Sequence, residues 1–150
     1  MAFLALLFLT FGMAGCDVTA DVDYNDAKTL AKSGDTYSRV NYSQTKNAKR
    51  VTISGEKFAG MDTLWRHQAD EGEEAGLSFT LGVEKGKVKL VFINPDGEVT
   101  TLVECQSEDG QGVTKSGESP VKMQKGENRI KLVGEDNSTG VEVILDVTAP

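Results

Sequence analysis

The stretch that decides the fold is Leu77-Ser78-Phe79-Thr80-Leu81-Gly82-Val83-Glu84, in which Leu, Phe, Leu and Val alternate strictly with Ser, Thr, Gly and Glu. Period two places one set on each side of an extended backbone, so this reads as a β-strand with one buried and one wet face. The same signature extends in both directions. Candidate strands cover 50–55, 58–68, 77–83, 87–94, 98–105, 120–124, 128–133 and 141–147. Turn chemistry separates them at Glu84-Lys85-Gly86, Asn94-Pro95-Asp96-Gly97, Lys125-Gly126-Glu127 and across 134–140. In Asn94-Pro95-Asp96-Gly97, Pro95 presets φ and Gly97 tolerates the conformation that closes a hairpin. Hairpins make the sheet antiparallel. About eight short strands then predict an all-β, antiparallel two-sheet sandwich over 48–150, with immunoglobulin-like and jelly-roll-like connectivities both open. Its expected core comprises Val88, Leu90, Phe92, Leu102, Ile130, Leu132, Val143 and Leu145 or their alternates.

Upstream of the strands the character changes. Met1 to Gly15 carries no charge, and all 16 Lys/Arg and 23 Asp/Glu follow it. Its apolar run is shorter than the ~20 residues that span a bilayer core, but it has the length of a signal-peptide apolar region and ends in small residues. A buried core helix or an uncleaved anchor is the plainer alternative. Met13-Ala14-Gly15-Cys16 resembles the bacterial lipobox, in which an aliphatic residue and two small ones precede a Cys that receives lipid and becomes the first residue of the mature chain. The resemblance implies a signal peptide over 1–15, acyl chains such as palmitate on Cys16, and a lipoprotein held on the extracytoplasmic face of the cell membrane. Two or three acyl chains, at ~0.8 kcal/mol per buried methylene, anchor a protein where one would not.

Residues 16–47 are polar and poor in aliphatic side chains, and read as a lipidated Cys followed by a tether. A short helix is expected within 24–32, with Asp23 as N-cap and Gly34 near its end, because Ala27, Leu30 and Ala31 have helical spacing. Basic residues here, including Lys28, Lys32 and Arg39, are read as a solvated surface in preference to a binding site for anionic lipid or cell-wall polymer.

Further along, 60–65, 86–93 and 126–134 (Gly60-Met61-Asp62-Thr63-Leu64-Trp65, Gly86-Lys87-Val88-Lys89-Leu90-Val91-Phe92-Ile93 and Gly126-Glu127-Asn128-Arg129-Ile130-Lys131-Leu132-Val133-Gly134) are similar to small β-sandwich lipoproteins of Gram-positive bacteria. That resemblance implies a fold and a location, and no activity.

Chemistry is sparse. The net charge of −7 and pI near 4.7 repel phosphate backbones, which sets nucleic acid aside as a partner. His67 is the one imidazole, and with Trp65 it would share one face of a regular strand. That pair is the candidate ligand face, set against a packed Trp65 that serves stability. Asp70-Glu71-Gly72-Glu73-Glu74 and Glu135-Asp136-Asn137-Ser138-Thr139 offer oxygen ligands without EF-hand spacing, so no metal is expected. The same carboxylates lack a spacing that would define a glycosidase pair. With Cys16 consumed by lipid, Cys105 is a single thiol whose ordinary fate is burial. No cofactor is expected, and no enzyme. A surface binding or adhesion module ranks first and an accessory subunit of an envelope complex second, with cell-wall polymer or an envelope protein as partner.

Overall fold

A computed structural model of the chain describes residue 20 and residues 22–148. The first of its elements is α1 (Ala27–Leu30), and seven strands follow: β1 (Thr36–Lys46), β2 (Arg50–Ala69), β3 (Glu73–Val83), β4 (Gly86–Ile93), β5 (Val99–Ser107), β6 (Val113–Met123) and β7 (Gly126–Thr148). All pairings are antiparallel, in the order β1-β2-β7-β3-β6, with β4 paired to β7 and β5 to β4. The all-β antiparallel architecture is as the alternation indicates.

Two strands of unusual length make the layers. The first half of β2 pairs with the second half of β7 (Arg50↔Asp146 to Phe58↔Ser138), and its second half pairs with the first half of β7 (Gly60↔Gly134 to Ala69↔Gly126). Between them the register shifts at Phe58/Gly60. Bulges bend a strand, and here the bend folds the sheet over itself. One layer is β5-β4-β7-β2, using residues 60–69 and 126–134. The other is β1-β2-β7-β3-β6, using 50–58 and 138–148. Val51, Ile53, Leu77, Phe79, Leu81, Val143 and Leu145 from one layer meet Leu64, Trp65, Val88, Leu90, Phe92, Ile130 and Leu132 from the other in one core. A buried Cys105 on β5 donates its thiol to Leu81 O on β3 across the gap at 3.2 Å, and burial pushes that thiol's pKa up.

Gly60 sits at the bend with φ +99, where a Cβ would lie 2.1 Å from the Thr36 carbonyl oxygen. Only glycine fits there. The 50–55 and 58–68 segments are therefore one strand, as are 128–133 and 141–147, and the 134–140 turn is a bend within β7.

Over residues 22–46 the tether reading does not hold. Residues 36–46 are β1, an edge strand paired along β2, and residues 22–35 form a strap across the outer face of the β4-containing layer. Tyr24 and Leu30 are buried there against Met61, Val91, Ile93 and Val133. The sandwich thus begins well before residue 48. Charged side chains fasten the strap. Lys131 Nζ, with its side chain fully buried, donates to Lys32 O at 2.7 Å and Gly34 O at 2.9 Å and pairs with Asp35 at 3.2 Å. Arg129 donates to Ala31 O at 2.7 Å and Lys32 O at 2.8 Å, and Arg66 to Ser33 O at 2.7 Å. The carbonyls these cations reach belong to the C-cap Ala31 and to residues 32–34 just beyond α1, so charged donors satisfy backbone groups that no helix continues to use. Lys89 lies 4.1 Å from the Tyr24 ring, whose hydroxyl donates to Glu104 at 3.1 Å.

The short helix is there, but its cap is Asp26 and not Asp23. Asp26 accepts from the backbone of Lys28 and Thr29, both at 3.2 Å, and from Thr29 Oγ1 at 2.6 Å, while Asp23 closes a turn on Asn25. The helix-bonded Asp26 carboxyl is held below its usual range, chiefly by Thr29. Among the described residues no helix is long and apolar enough to cross a membrane.

Candidate functional site

Alternation in the strands of the second layer turns Val51, Ile53, Leu81 and Val143 inward and leaves Thr52, Ser54, Thr80, Gly82 and Glu142 on the outer face. The register sets them in rows. Ser43, Ser54, Glu142, Gly82 and Thr114 lie side by side across β1, β2, β7, β3 and β6, and Thr45, Thr52, Ile144, Thr80 and Ser116 form the next row. Thr80 Oγ1 and Ser116 Oγ are 2.8 Å apart. The result is a sheet face dominated by hydroxyls and glycine, with the charged pair Arg50–Asp146, 3.5 Å apart, beyond the rows.

Toward the bend this face deepens into a groove of about 670 Å³. Its lining includes Asn41 and Ser54, the carboxylates Glu56, Glu84 and Glu142, Lys57, and Thr114 and Thr139, over a floor of Gly55, Gly82, Gly112 and Gly140. The floor depends on missing side chains. A Cβ on Gly82 would stand 3.1 Å from Thr114 Oγ1, and one on Gly140, where φ is +60, would collide with Glu84. Asn41 has φ +45 and lies opposite Glu56, between Val40↔Lys57 and Tyr42↔Gly55 in an unbroken register. Its amide donates a hydrogen bond to Glu56. Carboxylate oxygens accept from O–H groups, and Ser, Thr and Asn both donate and accept. Such a lining suits a neutral ligand rich in hydroxyls. It has no aromatic ring for stacking and no Ser–His or Cys–His pair for covalent chemistry.

Of the site residues singled out from the sequence, Thr139 at the end of the second acidic stretch lines this groove, and the rest lie elsewhere. Cys16 is outside the described residues. Trp65 is 7% exposed and packs in the core. His67 does share its face and stacks on it, with ring centroids 5.5 Å apart at 7°, but its Nε2 lies 2.6 Å from Glu73 Oε1 at the start of β3. The pair is thus a core aromatic capped by an engaged imidazole, not an open ligand face, because the side of β2 that carries it turns toward the second layer. The two acidic stretches have structural partners as well. Glu73 holds His67, Asp136 accepts from Ala20 N at 3.2 Å, and the buried Ser138 hydroxyl accepts from Lys87 N and lies within donating distance of Glu135 O and Lys87 O. Among the described residues no group of three or more His, Cys, Asp or Glu stands together where it could hold a metal ion.

A second cluster lies under the strap. Burial pushes the Asp35 carboxyl up, but hydrogen bonds from Thr63 and the Lys131 ammonium outweigh it and hold the group below its usual range. Asp62 goes the other way: burial, then the Asp35 charge, raise it despite Tyr42 Oη at 3.2 Å and Arg39 at 3.7 Å. These groups fix β1 and the strap to β2 and β7.

No protein-family model matches the chain, and no curated protein matches it. Among solved structures it is similar to the globular domain of a zebrafish complement 1qA protein, 9% identical over 57% of this chain and 68% of that one, with a TM-score of 0.42. It is also similar to a carbohydrate binding module from a Cellvibrio mixtus lichenase in complex with cellotriose (9% identical, 81% and 93% covered, TM-score 0.40). A family 29 carbohydrate binding module is 17% identical over 78% of this chain and 79% of its own, with a TM-score of 0.42. At TM-scores this low the similarities carry no functional conclusion.

Proposed function

We propose that the chain is an extracytoplasmic lipoprotein, held at the membrane by acyl chains on Cys16, whose β domain is a non-catalytic module binding a neutral polyhydroxylated polymer of the cell-wall kind. The groove carries this reading. Its hydroxyl, amide and carboxylate lining over a glycine floor matches a ligand that presents many O–H groups and little charge. Its one cationic side chain, Lys57, stands against three glutamates, which disfavours phosphate-rich or acidic polymers. The imidazole that an acid–base mechanism would call on is engaged with Glu73 on the other layer.

Titration of neutral cell-wall polysaccharides into the Cys16→Ser protein by calorimetry tests the groove. Glu142→Ala and Ser54→Trp should each weaken binding at least tenfold, roughly 1.4 kcal/mol, with an unchanged unfolding midpoint. Retained affinity in both removes the groove from the reading. The anchor is tested separately: Cys16→Ala should leave unprocessed precursor and abolish incorporation of a fatty-acid analogue.

One observation favours a second reading, an accessory subunit that contacts an envelope protein. Among the described residues the exposed large apolar side chains are Tyr37 and Val40, three residues apart on the edge strand β1. Arg39 lies between them in sequence and stacks on the rings of Tyr37 and Tyr42 at 4.1 and 4.5 Å. If Tyr37→Ser and not Glu142→Ala removes surface function, that edge is the working surface.

A further inference from the structure

We infer that the bent end of the sandwich, where β2 and β7 cross between layers, is the end that faces the lipid bilayer, on a leash too short to let the domain turn over. The inference rests on the lipid-anchored reading of Cys16.

Its basis is where the fixed part of the chain starts. The strap is not a spacer: Tyr24 is buried, and its hydroxyl, the Lys89 ammonium and the Lys131 and Arg129 bonds to 31–34 hold residues 22–35 on the sheet. Upstream of it, Ala20 N donates to Asp136 in the bend of β7, and Ala20 Cβ stands beside Gly60 at the bend of β2. From Cys16 to Ala20 there are four residue steps, which at full extension reach roughly 14 Å. The acyl chains enter the bilayer at Cys16, so the Ala20–Gly60–Asp136 corner stays within that distance of the headgroups.

The far end is much more distant. Strand β4, with eight residues, runs away from the bend, and β3, with eleven, runs toward it from the far end; at ~3.3 Å per residue they put the Asn94–Gly97 hairpin and the 123–126 turn roughly 25 to 35 Å further out. Charge does not select the bent end, which carries Lys57, Lys85 and Lys87 beside Asp23, Glu84, Glu135 and Asp136. The covalent leash imposes the placement. The groove shares this end. Lys57 precedes Gly60 by three residues and Thr139 follows Asp136 by three, so the polymer within reach is its membrane-proximal part.

The native lipidated protein, reconstituted in phosphatidylcholine vesicles carrying nitroxide on a fraction of the headgroups, tests the placement. Glu135→Cys at the bend and Lys125→Cys at the far end each take a fluorophore, and the buried Cys105 does not compete. The Glu135 label should be quenched several-fold more than the Lys125 label, and a long Gly/Ser segment inserted after Thr19 should abolish the difference. Equal quenching in protein that floats with the vesicles, or stronger quenching at Lys125, overturns the orientation and leaves the anchor standing. Protein that fails to float, with Cys16→Ser behaving identically, overturns the anchor and the orientation with it.

Discussion

Replacing Lys131 with Met isolates the electrostatic part of the strap, because Met keeps most of the apolar stem and removes only the ammonium. In the native fold that ammonium is fully buried, donates to Lys32 O and Gly34 O, and faces Asp35 at 3.2 Å. Without it two carbonyls lose a charged donor and Asp35 loses its counter-charge. Removing one partner of a buried pair costs about 3 to 5 kcal/mol. Here the Asp35 side chain is 22% exposed and keeps the Thr63 hydroxyl at 2.7 Å, so water and Thr63 recover part of the loss. The expected cost is about 2 to 4 kcal/mol. With a urea m-value of about 1.5 kcal/mol/M, the midpoint falls by roughly 1.3 to 2.7 M. Protease cleavage within 22–35 should rise in parallel, as the strap lifts before the sheet unfolds. The double change Lys131→Met with Asp35→Asn should be less destabilised than the sum of the singles, since it removes the stranded carboxylate. A midpoint shift equivalent to less than about 0.5 kcal/mol, or strict additivity, would refute the claim that the pair fastens the strap.

Three further outcomes are expected. Trp65→Ala should cost about 3 to 5 kcal/mol in chemical denaturation, and wild-type Trp fluorescence should resist iodide; a near-neutral midpoint would return Trp65 and His67 to consideration as a ligand face. Gly60→Ala should prevent folding or cost several kcal/mol, because its Cβ meets the Thr36 carbonyl and its φ is positive; thermal unfolding reads this, and a shift of only a few degrees would sink it. Asp62→Asn should stabilise the protein at pH 7. A carboxyl whose pKa is raised on folding favours the native state below its unfolded pKa and loses that contribution as pH rises through the folded one, so the gain from Asn should fade in acid. An advantage that is equal at pH 7 and below pH 4 would assign it to packing.

Alternation in 77–83 and 87–94 was enough to read strands and hairpins, because burial on one face leaves a period-two record. It could not reveal β1. In an edge strand such as Tyr37-Ser38-Arg39-Val40-Asn41-Tyr42 most side chains stay exposed, and nothing forces apolar residues into phase. The two long strands were split for the opposite reason. Gly134 to Gly140 has a turn's composition, yet Ser138, Thr139 and their neighbours keep sheet hydrogen bonds through the bend. The strap left one overlooked trace: β4 is apolar on both faces, with Val91 and Ile93 as buried as Leu90 and Phe92, which requires a second cover. The groove left none. Its glycine, hydroxyl and carboxylate lining comes from five strands distant in sequence, and each residue alone reads as ordinary surface.

The central position of β7 also governs the order in which the molecule can form. The last of the described strands in chain order, it lies between β2 and β4 in one layer and between β2 and β3 in the other. Until residues 126–148 arrive, the chain has only the pairs β1-β2, β4-β5 and β3-β6 to hold it, and isolated two-stranded pieces are marginal in water. Pairing then joins residues from 36 positions apart, for Ile93 and Arg129, to 96, for Arg50 and Asp146, a slow closure. The nascent polypeptide accordingly stays loose until β7 emerges, and the two layers close only when it pairs.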